Sequence, residues 1–190
     1  MTAETRIAWM DTVASPAGPV TFAVDERGAL MRLSFDEGNY PDTIQNQLTR
    51  DGYVLQHNAA RTAGVRDQLH EYLSGMRQTF DLPLAPEGSD WQRSVWNALQ
   101  RIPFGATYTY GQIADLLGSP GSARAVGRAN ATNPIPLVIP CHRVIGADGS
   151  LTGFGGGLHI KTALLAHEAR VLGILVTSHS ESQPALPLSV

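Results

Sequence analysis

The stretch TYGQIADLLGSPGSARAVGRANAT, Thr109 to Thr132, reads as two short helices around a tight turn. Thr109 and Gln112 stand three apart, the spacing at which a threonine side chain caps a helix start and the glutamine reaches back. Ile113, Leu116 and Leu117 are expected to form its apolar face, and Gly118 supplies the exit. Ser119 is then placed to cap a second helix with Pro120 at its first position. Two helices joined by about four residues containing glycine make a helix-turn-helix candidate, although many other helical packings share this pattern.

The second helix has an unusual composition. Ala123, Ala125, Gly127, Ala129 and Ala131 alternate with Arg124, Val126 and Arg128, so much of its surface is nearly bare backbone studded with guanidinium groups. Such a helix can pack closely in a core, but two arginines would then need buried partners, which costs several kcal/mol when unmet. Contact with phosphates or bases uses the small residues and the arginines together.

Upstream, Ser89 and Gln92 form a second capping pair, and Trp91, Val95, Leu99 and Ile102 continue as a helical stripe that stops before Pro103. The segment TFDLPLAPEGSD, 79–90, holds two prolines, a glycine and three acids and reads as a linker. Before it, PVTFAVDERGALMRLSF gives two β-rich runs broken at DERG, a hairpin signal. In NAARTAGVRDQLHEYLSG, Val65, Leu69, Tyr72 and Leu73 line one face of a helix ended near Gly75. A final helix is expected at IKTALLAHEARVL. The expected fold class is α+β: an N-terminal sheet-plus-helix domain, 1–85, packed on a mostly helical C-terminal domain, 86–170, that carries the helix-turn-helix. Residues 171–190 are expected to be a mobile tail.

The chain has 190 residues and a net charge of -3, which taken alone argues against a nucleic-acid partner. The distribution is uneven. Residues 1–90 hold 7 arginines against 13 carboxylates, a net of -6, whereas 91–161 carry six basic and two acidic residues, a net of +4. Chance clustering of solvated charges would give the same count. The start, MTAETRIAWMDTVASPAG, lacks the basic and apolar runs of a signal peptide, and no segment reaches roughly 18 apolar residues, so a cytoplasmic location is expected.

Cys141, in IPCHRVIG, is the only cysteine. It cannot form an internal disulfide, and no metal or zinc site is expected around it. A lone cysteine is most often a small buried hydrophobe. Its neighbours, His142 and Arg143, suggest a second reading, because an imidazole or a cation can lower a thiol pKa of about 8.5 by several units. A carboxylate would be needed to fix the imidazole's tautomer, and Glu168 and Asp148 are the nearby candidates. After the cysteine, Gly146 to Gly157 contains six glycines in twelve residues, a loop able to bring amides close to a ligand. It lacks the Lys-Ser/Thr ending of a phosphate cradle, so no nucleotide cofactor is expected.

NPIPLVIPCHRVIGADGSLTGFGGGL followed by LLAHE closely resembles the O6-alkylguanine-DNA alkyltransferases, whose signature is PCHRV. The likeness runs from about Trp91 through Glu168, with a less distinctive match before it. It implies that Cys141 accepts the alkyl group irreversibly, that His142 takes its proton through a water, and that Glu168 orients His142. It assigns Tyr110 to the extruded guanine, Asn133 to bracing the cysteine's turn, and Arg124 to the gap left in the base stack. Arg128, Ala123, Ala125, Gly127 and Ala129 fall on the implied DNA-binding helix, and Pro136, Val144, Phe154 and Gly155 in the implied substrate pocket. Position 154 is Phe where many relatives have Tyr, and Gly155 leaves the loop bare, which is expected to admit adducts larger than methyl.

The implied partner is double-stranded DNA, bound without sequence preference through the minor groove by a monomer, with cooperative assembly on DNA left open. No cofactor is implied. O6-methylguanine is the main expected substrate, with O4-methylthymine a further one. A cysteine hydrolase would share Cys141, His142 and an acid but leaves the arginine helix unexplained. A regulator of the same family would need an extra cysteine-rich zinc domain, and the alkyltransferase-like binders lack the acceptor cysteine.

Overall fold

The computed structural model describes residues 6–36 and 43–174. The chain divides into two compact units, 1–87 and 88–190. The expected tail lies largely outside the described residues. Its first residue, Val171, is the last of a helix.

In the first unit the elements are β1 (Arg6–Val13), β2 (Val20–Val24), β3 (Leu30–Phe35), α1 (Ile44–Arg50), β4 (Tyr53–Gln56) and α2 (Ala59–Leu73). The sheet order is β3-β2-β1-β4, with β1 antiparallel to β2 and parallel to β4. The expected hairpin joins β2 to β3. Its turn closes through Gly28 N donating to Asp25 O at 2.9 Å.

Ala8, Met10, Ala23 and Met31 meet Ile44 and Leu48 of α1 in one apolar cluster. Asp11, which alternation along β1 turns to the opposite face, takes hydrogen bonds from Thr62 and Arg66 of α2, at 2.8 Å from Thr62 Oγ1 and from Arg66 Nε. Both faces of the sheet are therefore covered. Of the expected α2 stripe, Val65, Leu69 and Tyr72 are buried and Leu73 is half-buried.

The expected linker is partly an edge pairing. Leu30 N donates to Pro83 O and Ala85 N to Leu30 O, each at 2.8 Å, so 83–85 lie alongside the start of β3. Proline lacks a donor but keeps its carbonyl, which suits it to an edge.

The second unit contains α3 (Asp90–Leu99), β5 (Tyr108–Thr109), α4 (Tyr110–Leu116), α5 (Ala123–Ala131), a 3₁₀ turn (Cys141–Arg143), β6 (Val144–Ile145) and α6 (Leu158–Val171). Both capping boxes form as read, Ser89 with Gln92 and Thr109 with Gln112. Trp96, only 1% exposed, joins α3 to α5 by donating Nε1–H to Ala129 O at 2.9 Å.

Two local expectations are corrected. The second helix starts after Ser122, not at Pro120, because Gly121 adopts φ +86°, which a right-handed helix cannot pass through. Leu116 is 45% exposed, since the buried face of α4 runs through Ile113 and Ala114. Among the described residues no helix is long and apolar enough to cross a membrane.

β5 and β6 are only two residues each, yet they place the site. Their parallel pairing sets Tyr108 beside Val144 and Thr109 beside Ile145. The start of α4, with Tyr110, is thereby fixed next to the turn that carries Cys141.

Candidate active site

The turn begins with a buried loop. Leu137, with φ 76°, is the one non-glycine residue of positive φ among those described, and it is 1% exposed. A leucine in this region costs roughly 1–2 kcal/mol, so surrounding contacts must hold it. Asn133 supplies them. Its Nδ2 donates to Ile139 O at 2.8 Å while its Oδ1 accepts from Ile135 N at 3.0 Å, bracing the loop from both sides. Cys141 N donates to the same Ile139 carbonyl at 2.7 Å, so the cysteine's backbone is tied to the residue that Asn133 holds.

His142 and Glu168 are both 0% exposed. His142 Nε2 lies 2.7 Å from Glu168 Oε1. A carboxylate can only accept, so Nε2 carries the proton and Nδ1 presents a lone pair. Nδ1 is buried and makes no hydrogen bond to the protein. Asp148, the other acid considered from the sequence, sits on the exposed loop and accepts from Ser150 N and Oγ at 3.0 and 2.6 Å.

Arg143 does not act on the thiol as the sequence suggested. Its Nε and Nη2 donate to Glu168 Oε1 at 3.0 and 2.9 Å, and Nη1 donates to Ile102 O at 2.7 Å. Gly105 N adds a bond to Glu168 Oε2 at 2.7 Å. Although burial pushes the Glu168 carboxyl up, the hydrogen bonds from His142 and Arg143 and the Arg143 charge outweigh it and bring the carboxyl down to about 2.

The reading of His142 and Arg143 as candidates for lowering the thiol pKa is also corrected. Burial pushes the Cys141 thiol up to about 11, only partly offset by a hydrogen bond with Asn133 and the charge of Lys161. Burial likewise lowers His142 despite Glu168. At rest the two adjacent residues are a thiol and a neutral imidazole.

A groove of about 1020 Å³ opens over this unit, lined by Tyr110, Arg124, Gly127, Arg128, Thr152 and Gly153 among others. Arg124 and Arg128 are exposed on it. Ala123 also lines the groove, whereas Ala125 is half-buried and Ala129 is packed inward at 2% exposure. Tyr110 Oη donates to Thr152 O at 3.0 Å, and burial raises its pKa. Of the implied pocket residues, Val144 is fully buried on β6, Phe154 is 9% exposed and Pro136 is half-buried, while Gly155 is exposed. The groove lining does not include these four.

Sequence reasoning missed Lys161, which is 0% exposed and donates through Nζ to Thr152 O at 2.7 Å and to Val144 O. Helical spacing carries a signal for it: Lys161, Leu164 and Glu168 fall at i, i+3 and i+7 on one face. It also missed Asn130, buried on α5, which donates to Gly153 O at 3.2 Å.

Residues 90–170 match the family described as 6-O-methylguanine DNA methyltransferase, DNA binding domain, and residues 10–86 match its ribonuclease-like domain. A methylated-DNA--protein-cysteine methyltransferase of Methanosarcina acetivorans is 47% identical over 154 residues, covering 81% of this chain and 94% of that protein. The crystal structure of Mycobacterium tuberculosis O6-methylguanine methyltransferase superposes with a TM-score of 0.75 at 43% identity, covering 86% of this chain and 94% of that one. The M. tuberculosis protein solved in complex with DNA gives a TM-score of 0.73 at 42% identity, covering 85% and 93%. With both of its units matched in order along the sequence, this chain belongs to the 6-O-methylguanine DNA methyltransferase family.

Proposed function

We propose that this protein repairs DNA by direct reversal, moving the alkyl group of O6-alkylguanine in duplex DNA onto its own Cys141. The observation that carries the reading is the buried Glu168–His142 pair on the residue that follows Cys141: one imidazole nitrogen is held by the carboxylate at 2.7 Å while the other, buried and unbonded, is free to take a proton. Glu168 fixes the tautomer, and His142 Nδ1 accepts the thiol proton through a bridging water. Sγ then attacks the alkyl carbon as the carbon–O6 bond breaks, its electron pair leaving with the guanine. Tyr110 Oη supports that departure by donating to the base.

The target atom is inside a duplex, so the base must be turned out at a cost of a few kcal/mol, and Arg124 fills its place. The groove along α5 takes the minor groove of DNA without reading sequence, and the protein acts as a monomer. The product is a thioether, which offers water no carbonyl to attack, so each molecule reacts once. O6-methylguanine is the principal substrate, with O4-methylthymine a further one. Gly155 is exposed and a Cβ there would meet nothing nearer than Ala131 O at 3.8 Å, and on the bareness of this loop the reading extends to adducts larger than methyl.

The test is intact-mass measurement after mixing with a duplex carrying one O6-methylguanine. One added methyl per protein, located on Cys141 and never exceeded, is the expected result. Loss of the lesion without added mass, or repeated turnover, would overturn the reading. Cys141→Ala is expected to bind the duplex and gain no mass.

A further inference from the structure

Lys161 is a buried ammonium with an unusual set of neighbours. Its acceptors are two backbone carbonyls, Val144 O and Thr152 O, and among the described residues no carboxylate lies within ion-pairing distance of it. Glu168, the buried acid on the same helix, is engaged by His142, Arg143 and Gly105. A buried charge without a counter-charge is costly, and carbonyl dipoles repay only part of that.

The groups around Lys161 divide by charge. Arg143 and Glu168 cancel each other, His142 is neutral, and Tyr110 is a phenol whose own ionisation is disfavoured by burial and by Cys141. The remaining group able to become negative is Cys141, and the two act on each other: Lys161 favours the thiolate, and the thiolate favours the ammonium. The two carbonyls also matter by position. Val144 is three residues past the cysteine and Thr152 lies midway along the glycine-rich loop, so one ammonium ties that loop to the segment that follows the cysteine. Thr152 O is the same carbonyl that accepts from Tyr110 Oη at 3.0 Å.

We propose that Lys161 is a positioning residue for alkyl transfer, clamping the loop through Val144 and Thr152 and serving as the counter-charge to the Cys141 thiolate. This rests on the reading of Cys141 as the alkyl acceptor. When His142 takes the thiol proton, the negative charge on sulfur meets a positive charge already in place, and Lys161 loses its desolvated isolation. Once sulfur is alkylated it can no longer supply that charge. Burial already holds Lys161 down at about 8 with the thiol present.

The experiment measures the rate of Cys141 carbamidomethylation by iodoacetamide across pH for the parent, Lys161→Met and Lys161→Arg, with circular dichroism confirming the fold of each. Lys161→Met is expected to raise the apparent thiol pKa by one unit or more, which slows alkylation near neutral pH about tenfold, and Lys161→Arg to recover part of the loss. A Lys161→Met rate lowered equally at every pH, or an unchanged profile, would overturn the counter-charge role. Should Lys161→Met not fold, the parent protein with ¹³C-labelled lysine decides the matter. The Lys161 pKa, followed by NMR, is expected to be higher in Cys141→Asp, where a carboxylate stands in for the thiolate, than in the parent, and no difference would refute the coupling. Methyl transfer from DNA is scored separately by mass. A parent protein that shows the coupling yet takes no methyl would sink the repair reading alone.

Discussion

Replacing Glu168 by Gln removes one negative charge from the centre of a buried network and leaves its shape almost intact. Glu168 Oε1 accepts from His142 at 2.7 Å and from Arg143 at 3.0 and 2.9 Å, while Oε2 accepts from Gly105 N at 2.7 Å. A glutamine keeps one oxygen. If that oxygen faces Gly105, its NH₂ meets the donors of His142 and Arg143. If it faces them, the Gly105 amide loses its acceptor. In both cases Arg143 is left buried without a counter-charge, and breaking a buried pair in this way costs about 3–5 kcal/mol. The carboxyl itself gives a similar scale: a drop from 4.5 to about 2 corresponds to roughly 3 kcal/mol at about 1.4 kcal/mol per unit.

The sign follows from the lowered folded-state value. The contribution of Glu168 is fully present above the unfolded value of 4.5 and is lost as pH falls through 4.5 toward about 2. Urea unfolding of parent and Glu168→Gln, followed by circular dichroism from pH 7 downward, is expected to show a gap of roughly 3 kcal/mol at neutral pH that narrows below about pH 4.5. A gap under 1 kcal/mol at pH 7, or one that does not change with acid, would refute the argument. Thiol reactivity gives a second readout, because an imidazole without its carboxylate is a poorer base toward Cys141.

Gly88→Ala would place a Cβ 2.5 Å from Trp96 Cη2, a buried ring that cannot yield freely; a loss of about 1–3 kcal/mol is expected in thermal unfolding, and an unchanged Tm would refute the clash. Asn133→Ala removes both braces of the loop before Cys141 and a bond that favours the thiolate, so stability is expected to fall by about 1–3 kcal/mol and the iodoacetamide profile to move to higher pH. Arg124→Ala touches an exposed side chain, so unfolding is expected to change by no more than about 0.5 kcal/mol while repair of a duplex slows. The same variant is expected to react normally with free O6-benzylguanine, and an equal loss on both substrates would remove its role in base extrusion.

Legibility in the sequence followed the range of the interactions. Both capping boxes and the β2–β3 hairpin depend on residues three to five apart, and they formed as read. The parallel pairing of β1 with β4 joins Arg6 to Tyr53, and nothing within either strand specifies that partner. At the site, the adjacency of Cys141 and His142 was visible, and the resemblance singled out Glu168 over Asp148. The destination of Arg143 was not visible, because neighbours in sequence gave no sign that its guanidinium turns to Glu168 and Ile102 O instead of to the thiol. Lys161 was hidden for a related reason: lysine reads as solvated unless the apolar residues at helical spacing around it are weighed first. The start of α5 was misplaced because SPG fits a helix cap and a turn equally well, and the φ of Gly121 decided between them.

A group that can be spent once must also last until it is spent. Oxidation to sulfenic acid and capping by stray electrophiles both proceed from the thiolate. With the thiol held up at about 11, the ionised fraction at pH 7 is on the order of one in ten thousand. Burial of Cys141 at 2% exposure therefore gives the thiol a shelf life, which is what the proposed single-use acceptor requires.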